Sequence, residues 1–541
     1  MAESHGARPA AEAGHVGGRE HAGEHGPGAE PTAALSAAEH AARQRLLNAY
    51  LRETGIHDVT PGELVVELPA TGRSLRVEVW HASAFGHHTY GEHTVPGHPD
   101  LVAALLAELA ATTGCPGGEL ATQIGDSVER TARYLAHGRR RPGPGAHART
   151  RHAEQNVLLG HPFHPTPKSA EGFTDADIGR YAPELGTEFV PHYLAVAREL
   201  LLEVRVSPDE WVPGEVAEHV PAGYEALPVH PWQARHLAGE PEVRSLVAQG
   251  GLVALGPLGR PVYPTSSVRT VCDPEFGVSW KLPLHVRITN FVRNNPLEHL
   301  RRATDASLLA ARLPARPGFG VVLESGYRTL APGVVSDELA ADLAVQYRQN
   351  PFAGNGQAPR VLAGLLEDAA EVLPGPREAD EWLRRYLDVA LVPLLSVFAT
   401  DGVSFEAHVQ NSLLCTENGW PSGLWVRDLE GVSASRDRVR AGLVEADSPV
   451  LYDEAEAWLR LRYHAVTNQL GHVVHVLALH TATSERRLWR LARDHLRAAP
   501  EAGQLLACAT LPAKANLLSR FTGRGERPVY VDVPNPLREL P

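Results

Sequence analysis

Residues Pro264–Asn295 read PTSSVRTVCDPEFGVSWKLPLHVRITNFVRNN, and the chain's chemistry concentrates there. The run opens with Thr265, Ser266, Ser267, Arg269 and Thr270, hydroxyls around one guanidinium. Such groups hold phosphate or carboxylate oxygens, Arg often through two parallel hydrogen bonds. A strict alternation follows. Val278, Trp280, Leu282, Leu284, Val286 and Ile288 are apolar, whereas Ser279, Lys281, His285, Arg287 and Thr289 are polar. A period of two predicts a strand with one face in the core. Its other face then carries Lys281, His285 and Arg287, with Arg293 just beyond. Pro283 removes a ladder donor, which puts the strand at a sheet edge or at a bulge. A solvated strand face gives the same alternation, but such a face usually mixes signs. Between Ser279 and Asn295 there is no acid, in a chain that is acidic overall, so the stretch reads as an anion site.

The chain has 541 residues, with 51 Lys+Arg against 64 Asp+Glu and a net charge of −13. That length predicts roughly two to four structural units. The acidic balance argues against nucleic acid as a partner. No apolar run is long enough to span a bilayer, and the N-terminus lacks a signal-peptide apolar core, so the expectation is a cytoplasmic protein without a membrane partner. Cys115, Cys272, Cys415 and Cys508 are far apart with no CxxC, which suggests neither a disulfide framework nor a zinc or iron–sulfur site.

Residues 1–33 are rich in Gly, Ala, Glu and His and cannot bury enough surface to fold; they read as a disordered leader. A helix is expected from Ser36 as cap to Gly55. ELVVELP and SLRVEVW read as two strands joined at ATGR, LVAALLAELAATTG as a helix, and HGRRRPGPGAHART as a loop. Asn156–Phe173, NVLLGHPFHPTPKSAEGF, holds His161 and His164, each followed by Pro and so extended. Two such histidines could ligate a metal, but further ligands are absent nearby. With Lys168 following, an anion-contacting turn fits better, and a Pro-rich turn with solvated histidines fits equally well. AGYEALPVHPWQARHL gives a short strand ending near His230.

Downstream, residues 297–312 read as a helix, GFGVVLESGYRTL as a hairpin, and DEWLRRYLDVALVPLLSVFATDG as a helix bent at Pro393. In SFEAHVQNSLL, the alternation of Glu406, His408 and Gln410 with Phe405, Ala407 and Val409 predicts a strand. An antiparallel partner in LWVRDLEG would bring Glu406 and Asn411 near Asp428. Hard oxygen ligands without Cys are what Mg²⁺ uses beside substrate phosphates, although paired acids are often just surface. The rest, from about Tyr452 to Leu496, is largely helical. His472, His475 and His480 read there as core-edge or surface residues. Lys514, Asn516 and Arg520 are weak candidates for phosphate neighbours.

Taken together and in order, GHPFHPTPK, LPVHPWQ, PTSSVRT, WKLPLHVRITNFVRN, FEAHVQN and VRDLEG resemble the NRPS-independent siderophore synthetases, the aerobactin-synthetase-like IucA/IucC family. The resemblance covers about residues 150–530. It implies an α+β fold like a cupped hand, with mixed antiparallel sheets plus helices. The thumb would span residues 34–150, the fingers 151–375 with the ATP and acid sites, and the palm 376–541. It implies a ligase that adenylates a carboxylate of citrate or a related polycarboxylic acid with ATP. The acyl adenylate is then condensed with an amine or hydroxyl, as of an amino alcohol, to give an amide or ester, with release of AMP and pyrophosphate; a homodimer is expected.

By residue match, His161, His164, Lys168, Ser267, Arg269, Thr270, Lys281 and Asn411 would serve ATP. Arg293, His408 and Gln410 would contact the acid, with Arg293, His408 and Lys281 catalytic. Glu406, Asn411 and Asp428 would hold Mg²⁺. Ala170 stands where the family commonly has Arg, which weakens acid contacts from that turn. The chemistry agrees, because a carboxylate approaching the α-phosphorus of ATP meets a polyanion and needs Lys, Arg and Mg²⁺ to offset the repulsion. Two other readings stand beside this one, the first resting on the same basic and acidic residues and the second on a likeness of the family's C-terminal half. One is a phosphotransferase, which would cut ATP at the γ-phosphate. The other is a ferric-siderophore reductase or binding protein, whose iron–sulfur centre needs more cysteines than the C-terminal half contains.

Overall fold

The alternation from Val278 does put one parity in the core: Val278, Trp280, Leu282, Leu284 and Val286 are each at most 1% exposed. It is not one strand. In the computed structural model, which describes residues 30–92, 94–352, 357–524 and 528–538, Val278–Lys281 lies inside a six-stranded sheet. Leu284–Ile288 pairs instead with Phe291–Arg293 in a separate ribbon. Pro283 stands at the break. Lacking an N–H, it cannot continue the ladder, so the expected edge or bulge becomes a change of sheet.

The six strands run in the order Leu201–Arg205, Glu324–Leu330, Val345–Gln349, Val278–Lys281, Thr270–Cys272 and Tyr263–Pro264, every neighbouring pair antiparallel. Trp211 stacks on Tyr347 with ring centroids 4.2 Å apart, and Trp280 Nε1 donates to the Trp211 carbonyl at 3.0 Å. The expected hairpin in GFGVVLESGYRTL does not form. Phe319–Val321 joins a four-stranded sheet, parallel to Trp420–Val426, while Glu324–Leu330 enters the six-stranded one. Two chain segments thus leave one sheet for another, at Leu282–Pro283 and at Val322–Leu323.

The four-stranded sheet also contains Ser412–Glu417 and Arg360–Val361, so it takes strands from both sides of residue 375. Helix Ala146–Gln155 likewise runs through residue 150 and begins inside the stretch expected to be loop. The expected helix bent at Pro393 is two helices, Ala379–Val389 and Leu391–Asp401. Proline's missing N–H leaves the Val389 carbonyl without its i+4 donor, and Ala390 takes φ and ψ of −110° and −74°, well away from ideal helical values.

The N-terminal part forms as expected, with Gly62–Leu68 paired to Arg73–His81 through the 69–72 turn. Its first helix is Pro31–Glu53, beginning before Ser36 with Pro at its start; the rest of the expected leader, residues 1–29, lies outside the described residues. This part is clamped to the chain's end. Leu517 and Phe521 belong to its core, and Glu53 accepts the Leu517 and Leu518 N–H groups at 2.9 and 2.7 Å. Among the described residues no helix is long and apolar enough to cross a membrane, and the four cysteines are free.

Several histidines are buried neutral. Burial holds His230 and His472 down to about 3, and His88 and His164 to about 4. A histidine whose folded value lies below its unfolded one binds fewer protons folded than unfolded at mildly acid pH. Its stabilising effect is therefore complete above about 6.5 and is lost as pH falls toward 4. The melting temperature should decline from pH 7 to 4.5, and His472→Gln should flatten that decline. Equal slopes for the two proteins by thermal melting would show that this group does not contribute.

Candidate active site

Lys281 ends its strand in the middle of the six-stranded sheet, 3% exposed. A buried ammonium needs counter-charges, and two arrive on the turn after Trp420–Val426. Asp428 Oδ1 lies 2.5 Å and Glu430 Oε2 2.8 Å from Lys281 Nζ. Arg348, on the adjacent strand, reaches Asp428 Oδ1 at 3.1 Å and clasps the fully buried Glu324 at 2.7–3.1 Å. Glu430 Oε1 meets His299 Nδ1 at 3.0 Å, and Arg269 Nη2 is 3.9 Å from its other oxygen. Burial alone would push both acids up. Lys281 and Arg348 hold the Asp428 carboxyl well below the usual range, and Lys281 and His299 do the same for Glu430.

Beside this network the hydroxyl run folds as a tight turn. Thr265 N–H donates to the Thr270 carbonyl at 2.8 Å, and Ser267 Oγ accepts the Thr270 N–H at 3.2 Å. Val268 is forced to φ 68°, a conformation β-branched residues avoid. The turn is tied down by Glu154, whose Oε2 accepts Ser266 N–H and Oγ–H at 3.0 and 2.8 Å and which ion-pairs with Arg427. Gln410 closes the link by donating from Nε2 to the Ser266 carbonyl at 3.2 Å. Arg269 Nη1 donates to the carbonyls of Arg293 and Asn294 and to Asn295 Oδ1. It therefore also positions the loop that carries Arg293.

Arg293 Nη2 donates to the Ile288 carbonyl and Thr289 Oγ1 at 2.8 and 2.9 Å, while its buried Nε has no partner. Burial, with Arg269 nearby, lowers its value to about 10. Facing it is a histidine pocket. Glu367 accepts the Leu158, Leu159 and Gly160 N–H groups and so sets the approach of His161. In His161, His164, His230 and His408, Nδ1 accepts the N–H two residues on. In three of them the intervening residue is Pro, which has no N–H to compete. His164 and His408 are held neutral by burial, against Asn290 and Glu406 respectively. Their Nε2–H groups are thus left as donors, to Asn290 Oδ1 at 2.9 Å in His164 and toward Glu406 in His408.

Not all expectations hold. The Glu406–Gln410 stretch is no strand: His408 N–H turns back to the Glu406 carbonyl at 2.9 Å, and the strand starts at Ser412. The expected antiparallel pair does form, Ser412 opposite Val426, and Arg427 N–H meets the Asn411 carbonyl. Asn411 Nδ2 donates to the Glu406 carbonyl, leaving Oδ1 with acceptor capacity. Glu406 instead faces His464 at 3.1 Å and Lys514 at 3.8 Å, which outweigh burial and keep it ionised. Lys168 is drawn away, its Nζ 2.6 Å from Glu184. His285 and Arg287 leave the basic face for Asp342 and Glu171. Arg520 pairs with Glu171 as well.

Sequence reasoning missed Glu430, Glu324, Arg348, Glu154, Arg427, His464 and Asn468. Glu430 lay within the quoted VRDLEG motif. Asn468, which reaches within 3.3 Å of His161 Nε2, lies on the π-helix Arg462–Leu470, a geometry that periodicity does not reveal.

A family model described as the IucA / IucC family matches residues 149–367, and one described as a ferric iron reductase FhuF-like transporter matches residues 380–529. That second stretch holds only Cys415 and Cys508. L-2,3-diaminopropanoate–citrate ligase of Staphylococcus aureus is 34% identical over 92% of this chain and 96% of its own. Spermidine-citrate ligase of Bacillus anthracis is 27% identical over 92% and 98%. The structure of ATP-bound aerobactin synthetase IucA from Klebsiella pneumoniae superposes with a TM-score of 0.77 at 22% identity, over 92% of this chain and all of that one.

Glu324→Ala should strand Arg348 beside Asp428 and cost about 3–5 kcal/mol, the usual penalty for breaking a buried pair. Arg76→Ala, in a pair whose side chains are 73% and 67% exposed, should cost under about 1 kcal/mol. Calorimetric melting of both variants checks this, and equal shifts would contradict the buried network's importance.

Proposed function

The chain belongs to the IucA/IucC family, and from that membership we propose that it is an ATP-dependent siderophore synthetase. It activates a carboxylate of citrate as the acyl adenylate and passes it to an amine or amino alcohol, with AMP and pyrophosphate as co-products. The observation that carries this reading is the meeting, in one cleft, of the Thr265–Thr270 turn with Lys281, Arg348 and Arg269 against Asp428 and Glu430. Arg293, Lys514, His161, His164 and His408 lie alongside, a donor-rich surface suited to a polycarboxylate. The citrate ligases among the relatives support the same choice of acid.

The ATP phosphates would take the hydroxyls of Ser267 and Thr270 and the charge of Lys281. Arg293 and the His408 Nε2–H would hold the attacking carboxylate against the α-phosphate. A guanidinium that bridges both reactants acts most strongly where charge moves between them, in the transition state. Glu406, Asp428 and the Asn411 side-chain oxygen are hard donors that fit Mg²⁺, with Glu430 a further candidate, since all three acids are kept ionised. Bound there, Mg²⁺ would offset phosphate charge and polarise the bond to the leaving pyrophosphate. Because Gln410 is hydrogen-bonded to Ser266, its role in this reading is to hold the ATP turn against the acid pocket, and contact with the acid is secondary.

Steady-state kinetics with ATP and citrate varied separately, following pyrophosphate, test the assignment. Arg293→Ala should lower kcat/KM for the acid about a hundredfold, roughly 2–4 kcal/mol, with little change in melting temperature. Lys at that position should rescue only in part, because a point charge cannot replace a planar fork. Arg269→Ala should raise the KM for ATP and also lower the melting temperature, since it holds three oxygens of the 293–295 loop. ADP in place of AMP as product would overturn the reaction class, and unchanged acid parameters in Arg293→Ala would remove that residue from its role.

A further inference from the structure

His285, displaced from the basic face, enters a second cluster outside the cleft. Its Nδ1 is 2.7 Å from Asp342 Oδ2, and His236 Nε2 is 3.8 Å from the same oxygen. One ligand atom from each of the three residues lies within 4.8 Å of the others. The imidazoles stack with centroids 4.7 Å apart, and Trp232 stacks on His236 from its other side at 5.6 Å. Asp342 is only 4% exposed, and its Oδ1 is buried with no hydrogen-bond partner. Burial pushes the carboxyl up even though His285 acts to lower it. A buried carboxylate oxygen left unpaired is costly, and a cation on this carboxylate would offset that cost.

Gln233, fully buried, orders the backbones of two of the three residues: its Oε1 accepts the His285 N–H at 2.8 Å and its Nε2 donates to the Asp342 carbonyl at 3.1 Å. These bonds fix the backbones from which the His285 and Asp342 side chains project. The side chains of His236 and His285 are 28% and 34% exposed, so an ion can enter from solvent and keep a position for water.

We propose that His236, His285 and Asp342 form a binding site for a divalent first-row transition-metal ion, with zinc as the reference ion. Two imidazole nitrogens and one carboxylate oxygen, with an open position, suit zinc or ferrous iron and do not suit magnesium or calcium, which take oxygen ligands. The ion would join helix Pro231–Ala238, strand Leu284–Ile288 and helix Asp337–Leu343. It would also brace the ribbon that carries Arg293, because Leu284 is the register partner of Arg293 and the Ala341 carbonyl accepts the Asn295 N–H at 3.0 Å.

The test uses the untagged full chain stripped with EDTA and dialysed against Zn²⁺, with bound metal measured by mass spectrometry and stability by thermal melting. The chain has 28 histidines, and His81, His475 and Glu485 form another candidate group, so the readout is a difference between variants. His236→Ala and His285→Ala should each weaken one zinc equivalent by about tenfold or more and abolish a zinc-induced rise in melting temperature, whereas His81→Ala should keep both. His236 is partly exposed, so its variant should retain the wild-type circular dichroism. The same bound equivalents and the same melting shift in wild type and His236→Ala, or no zinc binding by the wild type, would overturn the site.

Discussion

Lys281 cannot be buried alone, and much of the centre of this fold follows from that constraint. Moving an ammonium out of water costs several kcal/mol even after relaxation, so its partners must be held as firmly as it is. Asp428 and Glu430 supply the charge, but they sit on a turn that packing alone would not fix. Arg348 and Glu324 hold it through Asp428 and the Leu429 N–H, and His299 holds it through Glu430. The next residue back, Arg427, runs the other way to Glu154, which anchors the hydroxyl turn. One buried cation therefore fixes, through successive ion pairs, the relative placement of both sheets and of the turn between them. Two carboxylates remain 29% and 25% exposed, the part of the network a ligand can reach.

Backbone strain collects at the same places. Among the described residues five non-glycine positions have positive φ, and Val268, Thr289 and Asp428 are three of them. Each flanks a group that the cleft presents: Val268 lies between Ser267 and Arg269, Thr289 bonds Arg293, and Asp428 meets Lys281. Such conformations cost roughly 1–3 kcal/mol each and persist only where the surroundings over-determine them. Space is short there as well, because a Cβ at Gly431 would collide with the Glu406 carboxylate. The turn that carries the acids is thus pressed directly against the neighbouring carboxylate.

The sequence was legible where one segment carries its own signal. The 62–81 hairpin, the core parity of Val278 to Val286 and the pairing of Ser412–Glu417 with Trp420–Val426 all follow from a period of two. Short motifs of hydroxyls, His and Arg were legible as well, because such residue types carry a local chemistry. What could not be read is what depends on distant partners. Nothing in LPLHVRI says that Pro283 marks a change of sheet, or that His285 goes to Asp342 while Lys281 goes to Asp428. Lys168 looked available because Glu184 is sixteen residues away and on a different element. Glu324 and Arg348 were invisible as a pair because each, alone in its strand, is an ordinary charged residue.

The His-Pro dipeptides show how a local rule becomes a property of the cleft. In His161, His164 and His230 the imidazole stands ahead of proline, meets no N–H on the next residue and takes the one after it through Nδ1. That bond dictates the tautomer, so a neutral ring must carry its proton on Nε2. In His230 the Nε2 faces the core and has no partner, and the ring acts as a helix cap. In His164 the same atom reaches Asn290, on the turn next to Thr289 and Arg293. The motif by itself specifies a donor of fixed direction. Whether that donor serves the fold or the cleft is decided by what its Nε2 faces, the core in His230 and Asn290 in His164, and this is why identical dipeptides in one chain take different roles.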